Sequence, residues 1–122
     1  MKIPSQYLPV MPYLILNDAD GFSTFAKVVF QAEDQLIVPN NENHIMHAEI
    51  TIGKAVIMFA QATENFPAKS AGMFIFVDNV SDIYEKALHN NAISLYEPSH
   101  KDYGFSAGFE DPFGNQWWIA EP

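Results

Sequence analysis

The sequence contains no cysteine and no arginine among its 122 residues. The lack of cysteine excludes disulfides and thiolate metal sites, and it favours a reducing cytoplasm as the compartment. Six lysines stand against fifteen acidic residues, which gives a formal net charge of −9. Such a charge disfavours nucleic acid, anionic membranes and phosphate-rich ligands as partners. Prolines interrupt residues 1–9 and no long apolar run follows, so neither a signal peptide nor a transmembrane span is predicted.

The composition is that of an ordered globular protein, with 48% hydrophobic and 17% charged residues. A mass of 13.7 kDa is enough for one domain with a buried core. Aromatic residues make up 14% of the chain and include ten phenylalanines. This high share suggests that some aromatic rings line a cavity while others fill the core.

The pattern of apolar residues occurs twice along the chain. Residues 11–17 predict a strand, and apolar residues at i, i+3, i+4, i+7 and i+8 within 22–30 predict an amphipathic helix. Residues 73–77 and 80–88 repeat this order about sixty residues later. Three strands are predicted after each helix: 35–39, 45–52 and 54–60 in the first half, then 93–96, 103–110 and 116–120 in the second, with a loop at 97–102.

The sequence therefore predicts a duplicated β-α-β-β-β module. The first module covers about residues 9–61 and the second about 70–120, with a polar linker at about 62–69. The closing hairpin turns at Asp111-Pro112-Phe113-Gly114-Asn115, where proline and glycine supply the backbone angles of a tight turn.

Three stretches carry a resemblance to a known family. They are Met46-His47-Ala48-Glu49-Ile50 before Ile52-Gly53, Phe76-Val77-Asp78-Asn79-Val80, and the run from Ala107 to Asn115. With the duplicated module they resemble the vicinal oxygen chelate superfamily, in its glyoxalase/bleomycin resistance/dioxygenase-like branch. The resemblance implies an α+β fold in which the tandem modules form a curled mixed sheet around a cleft, usually within a homodimer. One such fold hosts many functions.

Metal-using members of this superfamily place His, Glu or Gln at four strand positions that point into the cleft. In this sequence the resemblance puts Met11, Met58, Gly72 and Trp118 at those positions. None of these residues can hold a hard divalent cation, so we predict no metal and no cofactor. Relatives often carry an arginine shortly after a Tyr-Gly pair, but here Tyr103-Gly104 is followed by Phe105-Ser106, which disfavours a glyoxalase-type or phosphonate-type activity.

Alternation within the first strand of each half divides its residues between two faces. Leu14, Leu16, Ile75 and Val77 are expected to face the helices, whereas Tyr13, Ile15, Phe74 and Phe76 face the cleft. Trp117 and Trp118 point to opposite sides, and the family register directs Trp118 inward. The predicted ligand-binding residues are Met11, Tyr13, His47, Glu49, Met58, Phe74, Phe76, Tyr103 and Trp118. The alternative is a collapsed cleft filled by these side chains.

His47 and Glu49 lie two apart on a strand and project from one face. They could form an acid–base pair or a metal pair in the cleft, or they could face solvent or a second subunit, which is the commoner situation for polar pairs on half-exposed strands. His44 points the other way and receives no role. His89, at a helix end, and His100, in a predicted loop, are expected to be structural.

Three functions remain open. The first is a metal-independent protein that binds a small, flat or apolar molecule, aromatic or cationic, as bleomycin-resistance-type proteins do. The second is a divalent-metal-dependent lyase, isomerase or dioxygenase-like enzyme that uses His47 and Glu49. The third is a dimeric interaction module with a closed cleft and no ligand.

Overall fold

The computed structural model describes all residues, 1–122, in two compact units, Met1–Lys69 and Ser70–Pro122. Each unit contains one helix and four strands. Unit 1 contains β1 (Tyr13–Leu16), α1 (Ala19–Phe30), β2 (Glu33–Pro39), β3 (Ile45–Ile52) and β4 (Ala55–Gln61). Unit 2 contains β5 (Gly72–Phe76), α2 (Val80–His89), β6 (Ile93–Lys101), β7 (Gly104–Glu110) and β8 (Gln116–Ala120).

Each sheet is mixed and open. The strand orders are β1-β4-β3-β2 and β5-β8-β7-β6, with the first pair of each sheet parallel and the others antiparallel. These topologies are identical in the two units, which confirms the predicted α+β class and the tandem β-α-β-β-β modules. Neither helix is long and apolar enough to cross a membrane.

Both helices begin in the same way. Asp18 and Asn79 occupy the N-cap positions, and each side chain accepts a hydrogen bond from a backbone N–H in the first turn. In each unit a residue at or directly after the end of the last strand then binds the start of the helix. Gln61 Oε1 accepts from the Ala19 N–H, and Glu121 Oε2 accepts from the Val80 N–H, both at 3.0 Å. The duplication therefore extends to the side chains that orient each helix on its sheet.

The core of unit 1 lies between α1 and one face of its sheet. The predicted helix face is buried, and its Phe22 ring packs edge-on against Phe59 with ring centroids 5.0 Å apart. Leu14 and Leu16 are buried on this face, as the alternation predicted, whereas Tyr13, which precedes them, is exposed. The opposite face of the sheet is not covered by α1.

The prediction of a loop at 97–102 is wrong for most of its length, because β6 continues to Lys101. Its pairing with β7 shifts register between Ser94 and Tyr96 and again between Tyr96 and Ser99. Pro98 lies within the second irregularity, on the edge strand of its sheet. A proline is tolerated there because a bulged edge strand can spare one backbone donor. His100 is consequently a strand residue.

Candidate functional site

A pocket of about 480 Å³ opens on the face of the unit 1 sheet that lies away from α1. Its walls come from β1, β3, β4 and the segment after β4. The lining residues are Tyr13, Ile15, Met46, His47, Ala60, Gln61, Thr63 and Phe66. Such a volume lies within the range of small-molecule sites, and most of the wall is apolar.

Tyr13 and His47 provide the polar part of this wall. The Tyr13 hydroxyl lies 3.2 Å from His47 Nδ1, and the two rings stack with centroids 5.6 Å apart and an interplanar angle of 29°. On the other side of the imidazole, His47 Nε2 lies 3.8 Å from Glu49 Oε2. The three side chains form a row that runs from a half-exposed phenol to a buried carboxylate.

Glu49 is only 3% exposed, so its carboxylate depends on protein partners. The Tyr7 hydroxyl donates to Oε2 and the Gln35 amide donates to Oε1, each at 3.1 Å. Gln35 reaches this position from a register shift between Asp34 and Leu36, where β2 carries one residue more than β3. A bulge of this kind redirects a side chain. The hydrogen bond to Glu49, followed by desolvation, raises the pKa of Tyr7.

The Glu49 carboxylate favours one direction for the hydrogen bond between Tyr13 and His47. The Glu49 carboxylate, which already accepts from Tyr7 and Gln35, favours the His47 tautomer with its proton on Nε2, the nitrogen that faces Glu49 at 3.8 Å. Nδ1 is then an acceptor for the Tyr13 O–H. With its proton used in this way, the Tyr13 oxygen presents lone pairs to the pocket and can accept a hydrogen bond from a ligand.

The other polar side chains of the wall, Gln61 and Thr63, form hydrogen bonds within the protein. The Gln61 amide caps α1 through the Ala19 N–H and the Asn17 carbonyl. Thr63 and Phe66 bind each other through backbone and side-chain hydrogen bonds of 2.9 and 3.1 Å. This turn holds the Phe66 ring at the pocket wall. The Tyr13 oxygen and the hydroxyl proton of Thr63 therefore remain available to a ligand.

The predicted ligand-binding residues are divided between the two units. Tyr13 and His47 line the pocket, whereas Met11, Glu49 and Met58 belong to unit 1 but do not line it. Glu49 lies next to His47 on the side away from Tyr13. Met58 lies on β4, where it pairs with Tyr13 of β1 on one side and with Glu49 of β3 on the other. The remaining four lie in unit 2: Phe74, Phe76, Tyr103 and Trp118.

Sequence reasoning missed several wall residues. Met46 enters the wall beside His47 because the register shifts between Val38 and Pro39 disturb the alternation of β3. Phe66 falls in the stretch interpreted as a linker, and the polar character of that stretch concealed its one aromatic ring. His44, which received no role, pairs with Asp20 at 2.7 Å and thereby joins β3 to α1.

The four positions that the resemblance equates with the metal-binding positions of metal-using relatives are Met11, Met58, Gly72 and Trp118. A Cβ atom added at Gly72 would lie 2.8 Å from Cζ3 of Trp118, so the indole ring covers the glycine. No group of three or more His, Cys, Asp or Glu side chains is arranged to hold a metal ion. Trp117 is buried, and its indole N–H donates to Asp111 Oδ2 at 2.9 Å.

No protein-family model and no curated protein matches the chain, but solved structures do. TioX from Micromonospora sp. ML1 superposes with a TM-score of 0.74 at 17% identity, covering 92% of this chain and 98% of TioX. The fosfomycin resistance protein FosX from Mesorhizobium loti gives 0.69 at 14%, with coverages of 95% and 92%. A glyoxalase/bleomycin resistance protein/dioxygenase family enzyme from Burkholderia phytofirmans gives 0.69 at 19%, with 88% and 92%.

The chain has the vicinal oxygen chelate fold. The predicted resemblance is thus confirmed for the architecture of the glyoxalase/bleomycin resistance proteins. Identities of this size establish the fold and leave the activity to be argued from the site.

Proposed function

We propose that this vicinal oxygen chelate-fold protein binds a flat, aromatic, cationic small molecule in the unit 1 pocket without a metal. The observation that carries the proposal is the pocket of about 480 Å³, with a mostly apolar wall and a polar corner at Tyr13 and His47. Aromatic and thioether side chains in the wall suit a planar ligand, and Met46 can adapt to its shape.

The polar corner favours a ligand that donates a hydrogen bond. With the His47 proton on Nε2, toward Glu49, the Tyr13 O–H donates to Nδ1, which leaves an acceptor oxygen at the pocket. A protonated aromatic amine meets this requirement. The net charge of −9 also raises the local concentration of cations around the molecule. Proteins named for bleomycin resistance are among those that share the fold.

The test is a fluorescence titration with proflavine, a flat aromatic cation with N–H donors, against the anionic aromatic dye anilinonaphthalene sulfonate. Proflavine should saturate one site per chain that Ala60→Phe removes, whereas Ala60→Phe should leave any binding of the anion unchanged. Tyr13→Phe keeps the ring and removes the acceptor, so proflavine should bind about tenfold more weakly, as expected for a hydrogen bond to a charged group. Ala60→Phe should fill the pocket and abolish binding.

The matched control is Tyr103→Phe, the same chemical change in unit 2, which should leave proflavine binding unaltered. Equal affinity of the wild type and Ala60→Phe would contradict the pocket as the binding site. A wild-type protein that does not bind proflavine, or whose anion binding is lost in Ala60→Phe, would contradict the ligand class proposed for the unit 1 pocket.

A second candidate function is the metal-dependent lyase, isomerase or dioxygenase-like enzyme. Its supporting observation is the pair of His47 Nε2 and Glu49 Oε2 at 3.8 Å, an imidazole and a carboxylate on one strand face. Calorimetric titration of chelator-treated protein with zinc, nickel and manganese tests it. Saturable binding at one site per chain that disappears in His47→Ala would support the enzyme, whereas no binding would support the metal-free ligand site.

We also propose that the protein works as a cytoplasmic homodimer. Support comes from the fold, which in its known members is usually dimeric, and from a sequence without cysteine.

A further inference from the structure

Unit 2 contains a second row of hydrogen-bonded side chains, and it shares no residue with the unit 1 pocket. Tyr96 on β6 is its centre. The Tyr96 hydroxyl lies 2.7 Å from Ser106 Oγ and 3.2 Å from the Tyr103 hydroxyl. Gly108 makes this arrangement possible, because a Cβ atom at that position would lie 2.7 Å from the Tyr96 ring. Three hydroxyl groups are thereby connected from the inside of the unit to its surface.

The burial of Ser106 determines which way the protons point. Ser106 is 0% exposed, and its hydroxyl lies 2.7 Å from the Tyr96 oxygen and also interacts with the Tyr103 phenol. A buried hydroxyl proton without an acceptor is costly, so Ser106 donates to the Tyr96 oxygen. Tyr96 must then direct its own proton to the Tyr103 oxygen. The proton of Tyr103 is left without an acceptor in the protein and points to the surface.

Tyr103 is therefore a polarised donor at an accessible position. Its side chain is 52% exposed, and hydrogen bonds in a chain strengthen one another. The hydrogen bond from Tyr96 is the largest cause that lowers the pKa of Tyr103, and the Ser106 hydroxyl and the charge of Lys101 act in the same direction. A more acidic phenol is a stronger donor to an acceptor oxygen. The Lys101 ammonium lies 4.9 Å from the centre of the Tyr96 ring, so a positive charge accompanies the donor.

An apolar surface adjoins the donor. The Phe74 ring lies edge-on to Tyr103 with centroids 6.1 Å apart, and edge-on to Phe76 at 5.1 Å. These two phenylalanines are 52% and 61% exposed on β5. Water-exposed rings of this kind gain free energy when a planar group covers them.

We propose that Tyr103, Phe74 and Phe76 form a second ligand site, which takes an aromatic carboxylate. The ring of the ligand would pack on the two phenylalanines, and its carboxylate would accept the outward proton of Tyr103 close to the Lys101 charge. The polarity is opposite to that of the unit 1 corner, where the row of side chains ends in an acceptor. The site does not depend on the function proposed for unit 1.

The test is a fluorescence or NMR titration of the whole protein with 2-naphthoate, compared with the cation 2-naphthylmethylamine. Wild-type protein should bind naphthoate saturably and prefer it to the amine. Tyr103→Phe removes the donor and keeps the ring, so naphthoate affinity should fall about tenfold. Tyr13→Phe is the matched control in unit 1 and should leave it unchanged. Phe74→Ala should weaken both naphthalene probes alike.

A spectrophotometric titration of tyrosine ionisation separates a polarised donor from simple packing. The phenol that ionises at the lowest pH should disappear from the titration in Tyr103→Phe. Ser106→Ala removes the hydrogen bond that orients the Tyr96 proton, so the lowest phenol ionisation should move to higher pH. Ser106→Thr should restore the original ionisation. Naphthoate affinity that is unaffected by Tyr103→Phe, or that falls only in Tyr13→Phe, would overturn the proposal, as would a wild type that does not bind naphthoate at millimolar concentration.

Discussion

Asp111 shows how one residue can organise a turn. Its carboxylate is buried and accepts four hydrogen bonds, from the backbone N–H groups of Phe113 and Asn115 and from the side chains of Asn115 and Trp117. Asn115 in turn accepts from the Ala71 N–H before β5. The turn between β7 and β8 is therefore attached both to the core, through Trp117, and to the first strand of its unit.

We expect Asp111→Ala to lower the free energy of unfolding by about 3 kcal/mol or more, since several buried donors lose their acceptor at once. Urea denaturation followed by Trp fluorescence measures the change. Asp111→Asn retains one acceptor oxygen and should fall between Ala and the wild type. Asp102→Ala, an exposed aspartate in the preceding turn, should change stability by less than about 0.5 kcal/mol. An Asp111→Ala variant as stable as Asp102→Ala would refute this role.

At the residue scale the sequence predicts whether a side chain is buried or exposed better than it predicts which side chains touch each other. The alternation of Tyr13 with Leu14 and Leu16 follows from strand geometry alone, and the structure confirms that the two leucines are buried and the tyrosine is exposed. That Gln35 reaches Glu49 depends on a bulge in β2, and that Tyr7 does so depends on the path of the N-terminal segment. Neither the bulge nor the path of the N-terminal segment follows from a periodic pattern of residues in the sequence.

Between elements, Asp20 links α1 to β3. Its Oδ1 accepts from the Ile45 N–H at 2.9 Å and its Oδ2 lies 2.7 Å from His44 Nδ1. The hydrogen bond from Ile45, with that of His44, lowers the pKa of Asp20 from its ordinary value of 3.8. A lowered pKa means that the folded state favours the ionised form. The resulting stability is complete above about pH 3.8 and is lost as the pH falls through the folded-state pKa.

We therefore expect Asp20→Ala to lower the melting temperature at pH 7. The difference from the wild type should become smaller below about pH 3.8, where the Asp20 carboxylate of the wild type is also protonated. Thermal unfolding by circular dichroism from pH 2.5 to 7 measures both curves. Asp82→Ala, which removes an exposed acid from the first turn of α2, controls for the loss of a helix-start charge. A deficit that stays constant from pH 7 to pH 2.5 would contradict the electrostatic origin.

Element types were predictable because the helices are amphipathic and the strands short and apolar. The one segment given the wrong type, residues 97–102, contains Pro98 and Ser99, which are typical of loops in isolation. Pairing with β7 outweighs that local preference, since the bulges absorb the proline. Local propensity therefore failed where tertiary pairing determined the structure.

For the whole molecule, duplication was the strongest predictor. The offset of about sixty residues in the apolar pattern recurs in the side chains that bind each helix start, Gln61 and Glu121. The fold was therefore accessible from sequence. The location of the pocket was not, because its wall combines strand residues with Thr63 and Phe66 from the presumed linker.

The edge strands of both sheets leave large apolar side chains in water, which supports association between copies. Leu36 and Ile37 are exposed on β2, and Ile93 and Leu95 on β6. Exposed apolar edge strands are liabilities unless they are covered. We expect light scattering at micromolar concentration to give twice the chain mass of 13.7 kDa.

Charged substitutions then identify the edge that is covered in the dimer. Ile93→Lys with Leu95→Lys should give the monomer mass if β6 contributes to the interface, and Leu36→Lys with Ile37→Lys should do so if β2 contributes. Val28→Lys, on the exposed side of α1, is the control and should leave the mass doubled. A wild-type mass equal to one chain across the whole concentration range would refute the dimer. The exposed β2 and β6 side chains would then have to be explained as part of a ligand or partner surface.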